Sequence, residues 1–273
     1  MSYAESFGEQ WNRYRVVQLD SVTGKPLSRV RFFEGTRWPE RMDGQRVLEV
    51  GCGAGRFTEV LVSTGADVVA VDASSAVEAA RATVGDRATV LQADLFALPF
   101  EEESFDRVFC YGVLQHTPDP RAAFLTIVRY ARPGGWIAAD VYKRAEYVDR
   151  WSSKRLWRPL TKRMPRSWLR RLVEWYVPRW LPVDTRLARV PRVGRFLTAV
   201  VPCWNYTGLL PLTRDELRAW AVLDTYDALS PRYDFPQRLE SVHEWCVAAG
   251  LVDVDVRRGG NGILINGRRP DGP

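Results

Sequence analysis

Histidine and paired cysteine, from which most zinc sites are built, are scarce in this sequence. Only two of the 273 residues are histidine, and the four cysteines are far apart, with no Cys-x-x-Cys pair among them. We therefore expect no metal site. The same cysteine usage favours a protein that works reduced, as proteins of the cytoplasm do.

Long apolar runs are also missing. No run approaches the roughly 18–20 residues that a membrane span needs. The N-terminal stretch MSYAESFGEQW lacks a basic segment followed by an apolar one, so it predicts no secretory signal. The composition, 46% hydrophobic and 26% charged, is typical of globular proteins. We expect a cytoplasmic protein with one large domain and an insertion, or two smaller domains.

Charge is distributed unevenly along the chain. Residues 143–195 contain 16 Lys or Arg and 4 Asp or Glu, a net charge of +12, whereas the whole chain carries +6. The rest of the chain is therefore acidic, and the basic segment also holds five of the 11 tryptophans. This contrast predicts a core domain interrupted by a segment with a function of its own.

Apolar runs typical of buried strands alternate with helical patterns over residues 46–142, and the alternation resumes over residues 240–273. Such alternation predicts an α/β fold with a parallel sheet covered on both faces. The last two strands are separated by the turn GGNG and read as an antiparallel pair. We therefore predict a doubly wound, mostly parallel, seven-stranded Rossmann-like sheet with an α-helical insertion.

Three glycines lie in the stretch VLEVGCGAGRFTEVL, residues 47–61, between the first strand and the next helix. Gly51, Gly53 and Gly55 have no Cβ, so the chain can turn tightly there and a ligand can approach the backbone. In doubly wound sheets, ligands bind outside the carboxyl ends of the strands. Asp72 ends the second strand and can accept hydrogen bonds from ribose hydroxyls. Together these features predict a nucleotide or nucleoside site and leave open NAD and S-adenosylmethionine.

Five motifs in the core resemble the class I S-adenosylmethionine-dependent methyltransferases, especially the bacterial small-molecule branch. In order, they are VLEVGCGAG, VDAS, ADLFALPF, SFDRVFCYGVLQH and RPGGWIAADVY. The resemblance covers residues 46–142 closely and residues 240–268 loosely. It implies S-adenosyl-L-methionine as the cofactor and methyl transfer as the activity.

The resemblance also implies roles for residues around the glycine loop. Gly51, Gly53 and Gly55 line the methionine and ribose portions of the cofactor. Glu49, beneath the loop, orients the amino group, directly or through water. Asp72 takes the ribose hydroxyls. A helix-capping role remains an alternative for Asp72, because aspartate caps helices well.

Residues at the ends of the third and fourth strands complete the cofactor site that the resemblance implies. Asp94 binds the adenine amino group, and Leu95 offers a backbone N–H. Cys110 and Tyr111 lie where backbone carbonyls meet the ammonium group. For Asp94, a plain loop residue is the alternative.

Methyl transfer mainly requires that the acceptor is oriented toward the methyl group, because a sulfonium is already a strong electrophile. A hydroxyl acceptor also needs a base to remove its proton. His116, in GVLQHTPDP, is the first candidate, since histidine titrates near neutral pH. Structural hydrogen bonding is the alternative for this side chain. Tyr111 and Asp140 are further catalytic candidates, and His243 is expected at the surface.

We predict a helical lid over residues 1–45, a methyltransferase core over residues 46–142 and 240–273, and an Arg- and Trp-rich substrate cap over residues 143–239. In the cap, WLRRLVEWYV predicts an amphipathic helix that Pro178 ends. Its apolar arc consists of Trp168, Leu169, Leu172, Val173, Trp175 and Tyr176.

This arc has three interpretations. It packs in the core, it makes a peripheral membrane contact within residues 143–195, or its arginines bind an anionic substrate. Nucleic acid is not expected as a partner, because no nucleic-acid-binding motif is present and the core is acidic.

Two further stretches, residues 6–21 and 223–251, resemble a subgroup with a long insertion, whose members look like enzymes of surface glycan or small-metabolite pathways. We expect aromatic and acidic side chains of these stretches to close the pocket, with interdomain packing as the alternative: Trp11, Tyr14, Tyr226, Asp227, Tyr233 and Asp234.

Three functions follow in order of preference. The first is a methyltransferase of a bacterial biosynthetic pathway that acts on a small-molecule or glycan-like acceptor, with oxygen as the expected methyl acceptor. The second is a catalytically silent protein of the same fold that binds a membrane surface or a partner. The third is a dehydrogenase, which Arg56 disfavours because it replaces the third glycine of the dinucleotide fingerprint.

Overall fold

The computed structural model describes residues 5–144, 153–190, 194–260 and 262–272. The chain divides into two compact units. Unit 1 consists of Met1–Arg15, Pro26–Arg144 and Tyr233–Pro273, and unit 2 of Val16–Lys25 and Ala145–Arg232. The functional division into lid, core and cap stays a prediction. Residues 26–45 belong to unit 1, which contains the sheet, and residues 16–25 belong to unit 2, which contains the inserted helices.

A seven-stranded sheet forms the centre of unit 1. Its strands are β1 (Arg46–Val50), β2 (Asp67–Asp72), β3 (Thr89–Gln92), β4 (Phe105–Cys110), β5 (Ala131–Val141), β6 (Val252–Gly259) and β7 (Gly262–Arg268). The order is β3-β2-β1-β4-β5-β7-β6. Strands β1 to β5 are parallel, and β7 is antiparallel to both β5 and β6. The predicted doubly wound, mostly parallel seven-stranded fold is confirmed.

The described helices are α1 (Glu5–Arg13), α2 (Asp20–Thr23), α3 (Leu27–Thr36), α4 (Thr58–Val62), α5 (Ala76–Val84), α6 (Pro120–Val128), α7 (Ser153–Thr161), α8 (Arg166–Leu187), α9 (Gly194–Thr198), α10 (Arg214–Leu229) and α11 (Leu239–Ala248). Short 3₁₀ turns cover Gly85–Arg87 and Leu114–His116. Helices α2 and α7 to α10 belong to unit 2, and the others to unit 1. Within these described ranges, no helix combines the length and apolarity that crossing a membrane takes.

Both faces of the sheet are buried. Successive strand residues point to opposite faces, and other elements pack on each of them. Val47 and Phe109 pack on one face with Phe32 of α3. Leu48 and Val108 pack on the other face with residues of α6 and α11. Each of these strand side chains is at most 1% exposed. Since β1 and β4 are neighbours while the chain runs outward from β1 to β3, the switch point of the sheet lies between them.

The RPGG segment, whose proline and two glycines favour a turn, is instead part of β5, which begins at Ala131. Gly134 has φ +73°, and the pairing of β4 with β5 shifts register between Phe105 and Arg107. The segment stays in the sheet because residues beyond β7 bond to it: Arg269 donates its N–H to the Gly135 carbonyl at 2.8 Å. The local sequence does not show this distant partner.

In unit 2, α7 and α8 pack against α10. Helix α10 begins with a capping box in which the Thr213 side chain accepts from the Glu216 N–H while the Glu216 side chain accepts from the Thr213 N–H. Leu169, Val173 and Val177 of α8 are at most 2% exposed. The inserted segment therefore has a helical core of its own.

The prediction that Pro178 ends the cap helix is wrong, because α8 continues through Pro178 and Pro182 to Leu187. Proline removes one helical hydrogen bond, a loss that tertiary packing of the helix outweighs here. The Arg179 side chain adds a contact within this part of the helix, since its guanidinium donates to the Trp175 carbonyl at 2.5 Å. The buried row also extends past Pro178 to Leu181, 6% exposed, and past Pro182 to Asp184, 5% exposed.

Candidate active site

The glycine loop leaves β1 at the switch point of the sheet. The N–H groups of Gly51 and Cys52 both donate to the Val71 carbonyl, at 2.7 and 3.0 Å, which ties the loop to the end of β2. Gly51 has φ +80°, and a Cβ there would overlap the side chain of Val113. A residue with a side chain at this position would therefore be strained and would displace its neighbour.

Asp72 fastens the same loop from the end of β2. Its Oδ2 accepts the Gly53 N–H at 3.0 Å, and its Oδ1 accepts the N–H and hydroxyl of Ser74 at 2.9 and 2.6 Å. Desolvation raises the pKa of this half-buried carboxyl, and the three hydrogen bonds act in the opposite direction. The carboxyl group thus fixes the glycine loop at the carboxyl ends of the strands.

Glu49 lies beneath the loop and is only 2% exposed. Its Oε2 accepts a hydrogen bond from the Thr58 hydroxyl at 2.6 Å. Burial raises the pKa of Glu49 to about 8, against the lowering effect of the Thr58 bond and with a smaller contribution from the nearby Asp72 charge. The carboxyl is therefore mainly protonated at neutral pH and would ionise beside a cation.

Asp94 and Leu95 follow β3. Asp94 is exposed, and its Oδ1 accepts the Phe96 N–H at 3.0 Å, which closes a local turn. Leu95 is 5% exposed and packs in the core. The turn fixes where the Asp94 carboxylate lies, and its second oxygen can still accept a hydrogen bond.

At the end of β4, Cys110 is fully buried, and burial raises the pKa of its thiol. Tyr111 is 5% exposed, and burial, followed by the Asp140 charge, raises the pKa of its phenol. Within the described ranges the Tyr111 hydroxyl has no hydrogen-bond partner. A Cβ on Gly35 of α3 would lie 2.5 Å from that hydroxyl, so the ring points toward α3.

Asp140, near the end of β5, is 1% exposed. Its Oδ1 accepts the Gly112 N–H at 2.5 Å, and its Oδ2 accepts from Arg31 of α3 at 3.1 Å. The Arg31 guanidinium also lies over the rings of Phe57 and Tyr111, at 5.6 and 6.0 Å from their centroids. The sequence did not point to Arg31, because its partner lies 109 residues away.

His116 follows β4 in the 3₁₀ turn and is 6% exposed. Its Nδ1 lies 3.0 Å from the Tyr233 carbonyl, which can only accept, so the proton of the neutral ring is on Nδ1 and the lone pair on Nε2. The ring packs against Phe7 and Tyr142, with centroid distances of 5.3 and 5.4 Å. The neighbouring Gln115 is fully buried, and its amide has no hydrogen-bond partner in the part of the chain that the structure describes.

Gln115 and Phe7 are site neighbours that the sequence analysis missed. Gln115 lies within the motif GVLQHTPDP, where a polar residue that follows apolar ones could have indicated a site residue. Phe7 had no such signal, because only the packing of α1 brings it to His116.

Helix α1 lies over the glycine loop. The indole nitrogen of Trp11 is 3.2 Å from where a Gly53 Cβ would be, and the Asn12 amide donates to the Ser75 carbonyl at 2.9 Å. Of the six residues expected to close the pocket, four belong to unit 1 and two to unit 2. Those of unit 1 are Trp11, Tyr14, Tyr233 and Asp234, and those of unit 2 are Tyr226 and Asp227.

The sheet order, the glycine loop and the acidic residue that ends β2 match the Rossmann-like methyltransferase fold. Two solved structures agree over nearly the whole chain. An S-adenosylmethionine-dependent methyltransferase from Thermotoga maritima has a TM-score of 0.51, 15% identity and 98% coverage of each chain. A Haloferax volcanii methyltransferase, solved with a methyltransferase activator, has a TM-score of 0.52, 14% identity and coverage of 97% of this chain and 98% of that one.

Sequence comparison indicates the same kind of domain. Residues 48–139 match the methyltransferase domain family model. Ubiquinone biosynthesis O-methyltransferases are also similar: that of Bordetella avium is 33% identical over 110 residues, which cover 38% of this chain and 45% of the relative. The Thiobacillus denitrificans enzyme is 34% identical over 129 residues, 44% of this chain and 55% of the relative.

The chain thus spans about half the length of the curated relatives it matches. Residues 48–139 match a methyltransferase domain, as the five motifs predicted, and S-adenosylmethionine is the cofactor that this match supports. The residues present fit such a cofactor, because the side-chain-free backbone of Gly53 lies between the Trp11 ring and the half-buried Asp72 carboxyl group.

Proposed function

We propose that the protein transfers a methyl group from S-adenosylmethionine to an oxygen atom of a small-molecule or glycan-like acceptor. The observation that carries this is the glycine loop held by Asp72 at the switch point, within the matched domain. The names of the relatives, O-methyltransferases, support oxygen as the acceptor atom. When bound, the cofactor supplies an electrophilic methyl group on a sulfonium.

Two carboxyl groups divide the recognition of the cofactor in this proposal. Asp72 accepts the ribose hydroxyls with lone pairs that its bonds to Gly53 and Ser74 leave open. Glu49 ionises when the amino group of the cofactor approaches, because an opposite charge favours its carboxylate.

The strand ends after β3 and β4 supply the remaining cofactor contacts. Asp94 binds the adenine amino group through the oxygen that its turn leaves available, and Leu95 offers its main-chain N–H. The carbonyls of Cys110 and Tyr111 face the ammonium group. Main-chain groups suit these two positions, because both side chains are buried.

His116 is the residue that we propose as the base. Its Nε2 takes the proton of the acceptor hydroxyl while the Tyr233 carbonyl fixes the ring through Nδ1. The other two candidates fit this role less well. The raised pKa of Tyr111 keeps its phenol protonated, and Asp140 is bonded to Arg31 and to the Gly112 N–H.

Replacing His116 by alanine should lower kcat by about 100-fold or more, the usual effect of losing a general base. Affinity for S-adenosylhomocysteine should stay within about twofold, since His116 is not among the residues proposed to bind the cofactor. The matched control is His243→Ala on the exposed side of α11. Unchanged turnover in the His116 variant would leave this residue with a structural role only.

The activity itself is testable in two measurements on the intact protein. Calorimetry should show binding of S-adenosylhomocysteine and none of NAD. Mass spectrometry should then detect a gain of one methyl group on an acceptor from a panel of phenols, catechols and neutral and anionic sugars. Binding of NAD in place of S-adenosylhomocysteine would reverse the assignment.

A further inference from the structure

Helix α8 carries two apolar faces. The predicted single arc is split, since Leu169 and Val173 are buried while Trp168, Leu172 and Trp175 are exposed. The exposed residues lie at intervals of four and three, so they share one side of the helix. We define the outer face of α8 as Trp168, Arg171, Leu172, Trp175, Arg179, Val183 and Arg186.

The outer face exposes an unusual amount of indole surface. Trp168 is 66% exposed, Trp175 58%, Leu172 42% and Val183 37%. The row extends over much of a 22-residue helix. Single exposed apolar residues are common at protein surfaces, but a row with two tryptophans is typical of an interaction site.

The charges beside this row are of one sign. The exposed charged residues of the outer face are Arg171, Arg179 and Arg186. Between residues 153 and 190 the sequence has eleven Lys or Arg against two acidic residues. Of those two, Asp184 is buried on the opposite side and accepts from Asn205 at 2.8 Å, and Glu174 is half-buried. A ligand of this face therefore meets apolar rings and positive charge together.

Arginine and tryptophan are directly associated on the outer face. The Arg179 guanidinium lies 5.3 Å from the Trp175 ring centroid while it donates to the Trp175 carbonyl. Tryptophan prefers the headgroup level of a bilayer, and arginine beside it meets the phosphates. A helix of this composition lies in the plane of the interface with its apolar side inward.

We propose that the outer face of α8 docks on an anionic phospholipid surface, with Trp168 and Trp175 at the level of the headgroups. Charge complementarity selects lipid as the occupant, because the row is flanked by arginine alone. Helix α7 adds a second exposed basic and apolar element of the same unit, with Leu156 and Leu160 each 58% exposed. This contact goes beyond methyl transfer and does not depend on the identity of the acceptor.

Flotation of the full-length protein with vesicles tests the proposal. We expect binding to vesicles of phosphatidylcholine with about 30% phosphatidylglycerol, because an anionic lipid attracts basic segments. We expect little binding to vesicles of phosphatidylcholine alone. Binding should weaken as sodium chloride is raised. The double variant Trp168→Ser/Trp175→Ser should lose at least about tenfold in partitioning, or about 1.4 kcal/mol. The variant Arg171→Gln/Arg179→Gln should lose the preference for anionic vesicles.

Controls distinguish binding through the outer face of α8 from nonspecific hydrophobic binding. Val247→Ser changes a 65% exposed apolar residue of α11 in unit 1 and should bind vesicles as the wild type does. The affinity for S-adenosylhomocysteine should be unchanged in all variants, since none lies in the proposed cofactor site. Melting temperature checks that each variant folds. Equal flotation of the tryptophan variant and the wild type would overturn the proposal. So would a dimer in light scattering that the same two substitutions dissociate, because the face would then belong to a second copy.

Discussion

Replacing Asp72 by alanine should weaken binding of S-adenosylhomocysteine by at least about 100-fold, or about 2.7 kcal/mol. The variant loses the proposed bonds to the ribose, each worth about 1.5–3 kcal/mol when the acceptor is charged. It also frees the loop, since the Gly53 N–H and the Ser74 side chain both bond to this carboxylate. Titration calorimetry with purified protein measures the change.

Two further variants separate recognition from folding. Asp72→Asn keeps one acceptor oxygen and should fall between the wild type and the alanine variant. Asp67→Ala, at the other end of β2, removes an exposed carboxyl that lies 4.0 Å from Arg46 and should leave affinity unchanged. If the alanine variant binds as the wild type does, Asp72 is only a loop anchor, and the ribose must be bound elsewhere.

The sequence was sufficient to predict the core because its local signals agree with its tertiary packing. The stretch AVEAARATV has a helical pattern, and the structure forms helix α5 over the same residues, Ala76–Val84. The strand before it, β2, is an apolar run buried on both faces, which only a covered sheet explains. The glycine loop was readable for a similar reason, since Gly51 adopts a backbone conformation that other residues rarely take.

The predictions were wrong or incomplete where contacts between residues distant in the sequence determine the structure. Pro178 is a local stop signal, yet packing of the buried row carries α8 past it. The apolar arc of α8 looked like one face because a helical wheel cannot show which half the rest of unit 2 covers. In the site, Arg31 reaches Asp140 only through the packing of α3 on the sheet. No local pattern contains that information.

The surroundings of His116 and Asp140 could be told apart only with coordinates. Both stay catalytic candidates, because each lies near the carboxyl end of a strand. The structure gives Asp140 the Arg31 guanidinium and the Gly112 N–H as partners, so its carboxyl group holds the backbone after β4. His116 instead contacts a carbonyl and two aromatic rings, an arrangement that orients Nε2.

Glu49 should couple cofactor binding to release of a proton. Its pKa of about 8 leaves the carboxyl mainly protonated at pH 7, and the amino group of the bound cofactor would stabilise the ionised form. Affinity for S-adenosylhomocysteine should therefore rise with pH up to about 8 and then level off. Calorimetry at pH 7 in phosphate and in Tris should give heats that differ by the ionisation heat of the buffer. Glu49→Gln, which preserves the shape of the neutral acid, should abolish both effects.

The same carboxyl should make the cofactor-free protein less stable as the pH rises. Its pKa is raised from 4.5 in a free chain to about 8 in the fold, so the folded state binds the extra proton in that interval. The stabilisation is complete below pH 4.5 and is lost as the pH passes through 8, at up to about 1.4 kcal/mol per pH unit. Glu49→Gln removes this loss, so the variant should unfold at higher urea than the wild type at pH 9. Glu78→Gln, on the exposed side of α5, is the matched control. Parallel loss of stability in the wild type and the Glu49 variant between pH 5 and pH 9 would show that this carboxyl is already ionised beneath the loop.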